Sequence, residues 1–271
     1  MADQVETNDA ASPRELEGEA SVDIHKPKPW HGFREFLKEY LIIVVGVLTA
    51  LAGQAAVQEL DWRQRVADAE HELNAELRIN ADFAFERLVT VRCATAQIDA
   101  IRRALMENRD KGTPVAPFPP YHRGFRPWFT DSWESARSLQ LTGHIPTERL
   151  RIYSGAYTNA AMFREQLGNE QALTPSIDTL VDNAGKISPA ERDRLFLVLH
   201  ALEAQSNRLD LIAFRYLEAV KRLNIVVEPS VRAERVSAGV KSYGSCASDP
   251  SPWLDHGQTA LTWLMSRKGE P

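Results

Sequence analysis

The feature that most constrains this chain is an uncharged run from Tyr40 to Gln58. Nineteen residues separate Glu39 from Glu59, and none of them carries a charge. As an α-helix this run would be about 28 Å long, close to the roughly 30 Å hydrocarbon core of a bilayer. The sequence therefore predicts a juxtamembrane and transmembrane helix over residues 33–58.

Two other structures would also explain the apolar run. One is a cleaved signal peptide. Leu41–Leu51 has the length of the apolar region of a signal peptide, and Ala50 and Ala52 form an A-x-A pattern that a signal peptidase could cleave. A core helix of a soluble protein is the other. A retained anchor is favoured, because about forty residues precede the run and the helical pattern continues after Glu59.

The residues on either side of the run predict its orientation and its depth. Lys and Arg are slightly more concentrated before the run (Lys26, Lys28, Arg34, Lys38) than after it (Arg63, Arg65, Arg78), which predicts a cytoplasmic N-terminus. Amphipathic aromatic rings favour the headgroup regions, so we expect Trp30, Tyr40 and Trp62 at the two membrane interfaces. Trp62 also fits a packing position on the helix that follows.

Composition divides the rest of the chain. Residues 1–29 carry few large apolar groups, which predicts a disordered cytoplasmic tail. Residues 59–224 are expected to form an extracytoplasmic helical bundle, and residues 225–271 an irregular C-terminal tail packed on it. A net charge of -5 and a pI near 5.9, with no basic stripe, argue against nucleic acid as a partner.

Apolar spacing predicts an all-α fold in which the transmembrane helix continues into a long helix of an up-and-down bundle. No proline occurs from Arg34 to Asn108, and one apolar stripe runs through Trp62, Val66, Ala69, Leu73, Leu77, Ala81, Ala84, Leu88, Val91, Thr95, Ile98, Ile101 and Leu105. We expect this segment to be a single helix that ends at Gly112.

Three further helices are predicted. Asp131 is expected to cap a short helix with Glu134, and a second begins near Pro146 and is interrupted by Pro175. Ser188-Pro189-Ala190-Glu191 is a strong helix start. The seam that follows comprises Leu195, Leu199, Leu202, Ser206, Leu209, Ala213, Tyr216, Val220 and Leu223. Such seams also suit an intermolecular coiled coil, which is the alternative.

The block Phe36-Leu37-Lys38-Glu39-Tyr40-Leu41-Ile42-Ile43-Val44-Val45-Gly46-Val47-Leu48-Thr49-Ala50-Leu51, followed by Trp62-Arg63, resembles a known class of sequences. These are bacterial single-pass membrane-anchored proteins of unknown function, with a helical extracytoplasmic part. The resemblance covers roughly residues 33–80. It implies a bacterial inner membrane location with the C-terminal domain in the periplasm, and it implies no catalytic residues.

Motifs for chemistry are incomplete. His71-Glu72 begins like a zinc-peptidase helix, but Ala75 stands where the second histidine ligand belongs. Asp68 with His71, and His200 with Glu203, each place two possible ligands on one helix face, and the apolar seams add no carboxylates to them. Nothing orients a base toward Ser245 or Cys246. We expect no catalytic residue, no metal site and no cofactor.

One loop has an unusual composition. Aromatic and arginine side chains, which are favoured at binding hot spots, recur in it as Tyr121, His122, Arg123, Phe125, Arg126 and Trp128. The loop is therefore a possible binding loop. The alternative is a loop that covers the open end of the bundle.

Cys93 and Cys246 are the only cysteines, and both follow the apolar run. In an oxidising periplasm two thiols allow one intramolecular pairing, which predicts a Cys93–Cys246 disulfide that fixes the tail to the bundle. Two unpaired thiols are the alternative.

Three functions remain open at this point. The preferred one is a membrane-tethered helical interaction or scaffold module, with the lipid bilayer and a protein or a second copy of the chain as partners. The second is an extracytoplasmic bundle that senses a small ligand and acts through a partner. The third and weakest is an envelope hydrolase.

Overall fold

The computed structural model describes residues 32–121, 123–182, 185 and 187–255. These residues form seven α-helices, named α1 to α7 in chain order, and no strand occurs in the described part of the chain. The helices are α1 (Phe33–Val89), α2 (Val91–Lys111), α3 (Asp131–Ser138), α4 (Thr147–Asp182), α5 (Pro189–Lys221), α6 (Pro229–Tyr243) and α7 (Ser251–Asp255). The all-α prediction is confirmed.

The chain divides into two compact units between Ala56 and Val57, inside α1. In the first unit the described apolar helical residues, including Ile42 and Leu48, are exposed, apart from the half-buried Val44. No residue of the most apolar window is buried, and by length and composition this helix is able to span a membrane. The hydroxyl of Thr49 donates to the Val45 carbonyl at 2.8 Å, so the helix itself satisfies this polar group.

The described residues of the second unit form two apolar cores. The first core joins α1, α4 and α5 around Leu77, Phe85, Trp128, Phe163 and Tyr216. The second core joins α2, α4 and α5, and its buried members include Ile101, Leu105, Leu180, Leu199 and Leu202. The α1 stripe is buried or half-buried from Trp62 onward, and so is the α5 seam, as their spacings predicted.

The start of α5 is formed as predicted. Ser188 is the N-cap and accepts a hydrogen bond from the Glu191 N–H at 3.2 Å, with Pro189 in the first turn. Gly112 caps α2 in the left-handed conformation with φ 69°, and its N–H donates to the Asn108 carbonyl. The short helix α3 begins one residue earlier than predicted, because Thr130 rather than Asp131 is in the N-cap position, and the Thr130 hydroxyl donates to the Glu134 carboxylate.

The prediction of one helix from Arg34 to Asn108 is wrong, because the helix is interrupted at Thr90. The Arg87 carbonyl accepts hydrogen bonds from the Thr90 N–H at 3.2 Å and from the Thr90 hydroxyl at 3.1 Å. The Arg123 guanidinium also donates to it at 2.9 Å. These donors compete for the carbonyl that would otherwise accept from Val91, and a side chain inserted into the helical hydrogen bonds is a known cause of a kink.

The predicted interruption at Pro175 is also wrong, because α4 continues to Asp182 with this proline inside it. Proline removes one helical hydrogen bond. The turns on both sides are held by other means: the Thr174 hydroxyl donates to the Glu170 carbonyl, while Ile177 and Leu180 are buried in the second core. Tertiary packing therefore outweighs the local preference.

The residues after 224 are not irregular throughout, because α6 and α7 form within them. Pro229 begins α6, where its missing N–H has no cost. Gly239 is buried and lies so close to α1 that an added Cβ would be 2.6 Å from Val89 Cγ1. A glycine at this position therefore permits the close packing of α6 on the end of α1.

Candidate functional site

The predicted binding loop is divided by the structure into buried and exposed residues. Tyr121 and Trp128 are buried, and the Arg123 side chain is 3 % exposed. Phe125 is 52 % exposed, and the Arg126 side chain is 49 % exposed. His122 lies outside the described residues. The loop is thus attached to the bundle at both ends and open to solvent between them.

Aromatic stacking and one amide side chain hold the C-terminal end of this loop. Trp128 stacks on Phe163 with ring centroids 3.9 Å apart, and its ring centroid lies 4.6 Å from that of Tyr216. The Asn80 side chain donates to the Phe129 carbonyl and accepts from the Phe129 N–H, both at 2.8 Å. These two hydrogen bonds satisfy the polar groups of the buried Asn80 amide and of the non-helical backbone at Phe129 together.

The other end of the loop joins a buried ion cluster, which consists of Arg87, Arg123, Glu170 and Asp210. Two nitrogens of Arg87 donate to the two Glu170 oxygens at 3.0 and 2.8 Å, and Arg87 Nε donates to Asp210 Oδ1 at 2.9 Å. Arg123 Nη1 donates to the same Asp210 oxygen at 2.7 Å. The bidentate arrangement is the geometry in which arginine binds a carboxylate most strongly.

Burial and charge act in opposite directions on this cluster. Burial alone would lower the pKa of Arg87, but the charges of Asp210 and Glu170 outweigh it and raise that pKa above its ordinary value. Burial raises the pKa of the Tyr121 hydroxyl, although the Arg123 charge opposes the shift. Arg87 therefore stays charged and Tyr121 stays neutral over the whole physiological range of pH.

A small cavity of about 220 Å³ lies beside the ion cluster, between the end of α1, the loop and α6. Four arginines line it: Arg87, Arg123, Arg126 and Arg235. Glu86 supplies the only carboxylate among the described residues of its wall. We call this space the arginine cavity.

The other predicted site residues are placed as follows. Tyr40 is exposed on α1, and Trp30 lies outside the described residues. Trp62 stacks on His144 with ring centroids 4.0 Å apart, which is the packing position that its sequence also allowed. Cys93 and Cys246 lie with Cα atoms 5.0 Å apart and sulfur atoms at bonding distance, as predicted.

Chemical groups for metal binding do not converge in the described residues, where no three His, Cys, Asp or Glu side chains form a possible metal site. His71 and Glu72 lie on an exposed face of α1, and His200 is exposed on α5. Glu203, on the same helix as His200, forms an ion pair with Arg102 of α2.

Sequence reasoning missed the ion cluster. Arg87 lies 83 residues from Glu170 and 123 from Asp210, so no local spacing relates them. The single available signal was Ser206, the polar residue within the apolar α5 seam. Its hydroxyl accepts from Arg123 at 2.7 Å, and its carbonyl accepts from Arg87.

Comparison of the chain with protein-family models, with curated proteins and with solved structures gives no match.

Proposed function

We propose that this chain is a membrane-anchored, extracytoplasmic helical module that binds a protein partner through the exposed part of its loop. We call Phe125, Arg126 and Phe129 the tip surface. The observation that carries the proposal is the contrast within one loop: the side chains of the tip surface are exposed, whereas those of the neighbouring residues Arg123 and Trp128 are buried.

The composition and support of the tip surface suit protein recognition. Arginine and aromatic side chains are enriched at the energetic centres of interfaces. The Arg126 guanidinium lies 5.7 Å from the centroid of the Phe83 ring, and the ring centroids of Phe83 and Phe129 are 6.2 Å apart. Because the loop is fixed by buried contacts at both ends, little conformational entropy would be lost when a partner binds.

Three observations support the membrane-anchored, periplasmic location. The apolar window of α1 is unburied and long enough to cross a bilayer. Lys and Arg residues are more concentrated before it. The cysteine pair is of the kind that persists in an oxidising compartment such as the periplasm. The resemblance to bacterial single-pass proteins agrees with this location.

Site-specific photocrosslinking tests the tip surface. A benzophenone amino acid is placed at Phe125 in the full chain in its native membranes, and at Arg194, an exposed α5 residue, as the control. We expect a discrete crosslinked product at position 125 that weakens when Arg126 is changed to Ala, and none at position 194. A product at twice the mass of the chain would identify a second copy as the partner. The absence of a product at 125, or equal products at both positions, would reject the proposal.

A small-ligand sensor is the second candidate function, and the arginine cavity is the specific observation that favours it. Large apolar side chains occupy the two cores of the described bundle. A ligand that binds between the helices would therefore have to enter at a side cavity of this kind.

A further inference from the structure

We propose that the arginine cavity binds a small oxyanion, carried either by inorganic phosphate or by the carboxylate of a small organic acid. The inference does not require a partner at the tip surface, although Arg126 belongs to both the tip surface and the cavity wall. It follows from the donors and acceptors in the cavity wall, from the loose pairing of Glu86, and from the size of the space.

The wall of the arginine cavity is rich in hydrogen-bond donors. Besides its arginines it includes the hydroxyl-bearing residues Ser242 and Tyr243, whereas the Thr90 hydroxyl already donates to the Arg87 carbonyl. Burial raises the pKa of Tyr243 and the nearby Arg123 charge partly offsets this rise, so Tyr243 is a neutral O–H donor at physiological pH. Glu86 is the single carboxylate of the described wall. A ligand that supplies acceptor oxygens therefore complements this wall, and a cation does not.

The arginines of the wall differ in how well they are paired. Arg87 is held in place by hydrogen bonds to Glu170, Asp210 and the Ser206 carbonyl, so it forms a fixed back wall. Arg123 and Arg235 each keep a buried Nε–H with no hydrogen-bond partner among the described residues. Burying a donor without an acceptor is unfavourable. Arg235 would gain most from an added oxyanion after a small side-chain adjustment, because Arg123 already donates to Ser206, Asp210 and the Arg87 carbonyl.

Glu86 is held loosely at the cavity. Its Oε2 atom lies 3.3 Å from Arg126 Nε and 3.6 Å from Arg235 Nη1, and the second distance is too long for a hydrogen bond. Gly124 leaves room for Glu86, because an added Cβ would be 3.2 Å from Oε1. Glu86 thus occupies the place between two arginines that a bound oxyanion would take, and it would compete with that anion.

The size of the cavity and its surrounding charges limit the ligand. At about 30 Å³ per water molecule, 220 Å³ accommodates a phosphate ion or a short organic acid, but not a nucleotide. Asp82 is close enough to Arg235 for that charge to act on its carboxylate, although burial is the larger effect and raises the pKa of Asp82. Binding therefore depends on directed hydrogen bonds rather than on a large surplus of positive charge.

The test measures thermal unfolding of the full chain in detergent at constant ionic strength. Sodium phosphate, sodium succinate and sodium chloride are titrated separately. We expect a saturable rise in Tm with phosphate or with succinate, and none with chloride. The more effective of the two identifies the source of the oxyanion. No saturable rise with either one would overturn the proposal.

Three variants locate the site. Arg235→Gln should raise the apparent Kd by about tenfold or more, whereas Arg194→Gln, an exposed control on α5, should leave it unchanged. Glu86→Gln removes the competing carboxylate and should lower the apparent Kd severalfold, which a merely structural role would not do. Unchanged affinity in Arg235→Gln, or an equal loss in Arg194→Gln, would contradict the site. If Arg235→Gln does not fold, unchanged or weaker binding in Glu86→Gln would contradict it.

Discussion

At the scale of single residues, the ion cluster determines how much each charged partner matters. Arg87→Met would leave Glu170 buried without its main partner, while Asp210 would keep Arg123. We expect a loss of about 3–5 kcal/mol in the free energy of unfolding, measured by urea denaturation of the full chain in detergent.

The double variant Arg87→Met with Glu170→Met is the control for that change. It removes the unpaired charge as well and fills the space with apolar atoms, so it should be more stable than Arg87→Met alone. Equal stability of the single and double variants would show that the isolated Glu170 charge is not the source of the loss.

Two helical glycines make a matched pair with opposite expected effects. Gly239→Ala places a Cβ 2.6 Å from Val89 Cγ1, an overpacking that costs about 1–3 kcal/mol and outweighs the gain in helix propensity. Gly155→Ala on α4 meets nothing within 4 Å and should stabilise by about 0.5–1 kcal/mol. The Tm of both variants, measured by thermal unfolding, tests this prediction. A shift of Tm in the same direction in both variants would mean that α6 is not packed closely on Val89.

At the scale of elements, α5 offers the cleanest comparison of buried and exposed positions. Leu199 is 1 % exposed and Leu197 is 75 % exposed on the same helix. Leu199→Asp should destabilise the bundle by several kcal/mol, because it places a charge in the second core, whereas Leu197→Asp should change stability by no more than about 0.5 kcal/mol. Similar urea midpoints for the two variants would contradict the assignment of Leu199 to the buried face of α5 and of Leu197 to the exposed face.

The elements also show which features of the sequence are sufficient for prediction. The α5 start was predictable because Ser188 and Glu191 interact within one turn. The break at Thr90 and the continuity through Pro175 were not, because both depend on partners distant in the chain. Arg123 reaches the Arg87 carbonyl from 36 residues away, and the second core buries Ile177 beyond the proline. The same separation in sequence concealed the ion cluster and the arginine cavity.

At the scale of the whole molecule, the cysteine pair links α2 to the region after α6. Cys93 and Cys246 are 153 residues apart, and closing a loop of that length is worth about 5 kcal/mol in the chain-entropy model. Reduction should therefore lower the Tm of the full chain, and Cys93→Ser with Cys246→Ser should lower it equally and abolish the effect of reductant. In membranes, labelling of both thiols by a maleimide under denaturing conditions without reductant would contradict the pairing.

The central claim is that the chain is anchored in the inner membrane with its bundle in the periplasm. It is tested most directly by the activity of alkaline phosphatase fused after Pro271, measured in carbonate-washed bacterial membranes. We expect an active enzyme that remains with the membrane pellet, because this phosphatase needs an oxidising compartment to form its disulfides and an anchored α1 would retain the fusion in the bilayer. An inactive fusion would place the bundle in the cytoplasm, and activity released into the soluble periplasmic fraction would show that α1 is cleaved; either result would contradict the claim.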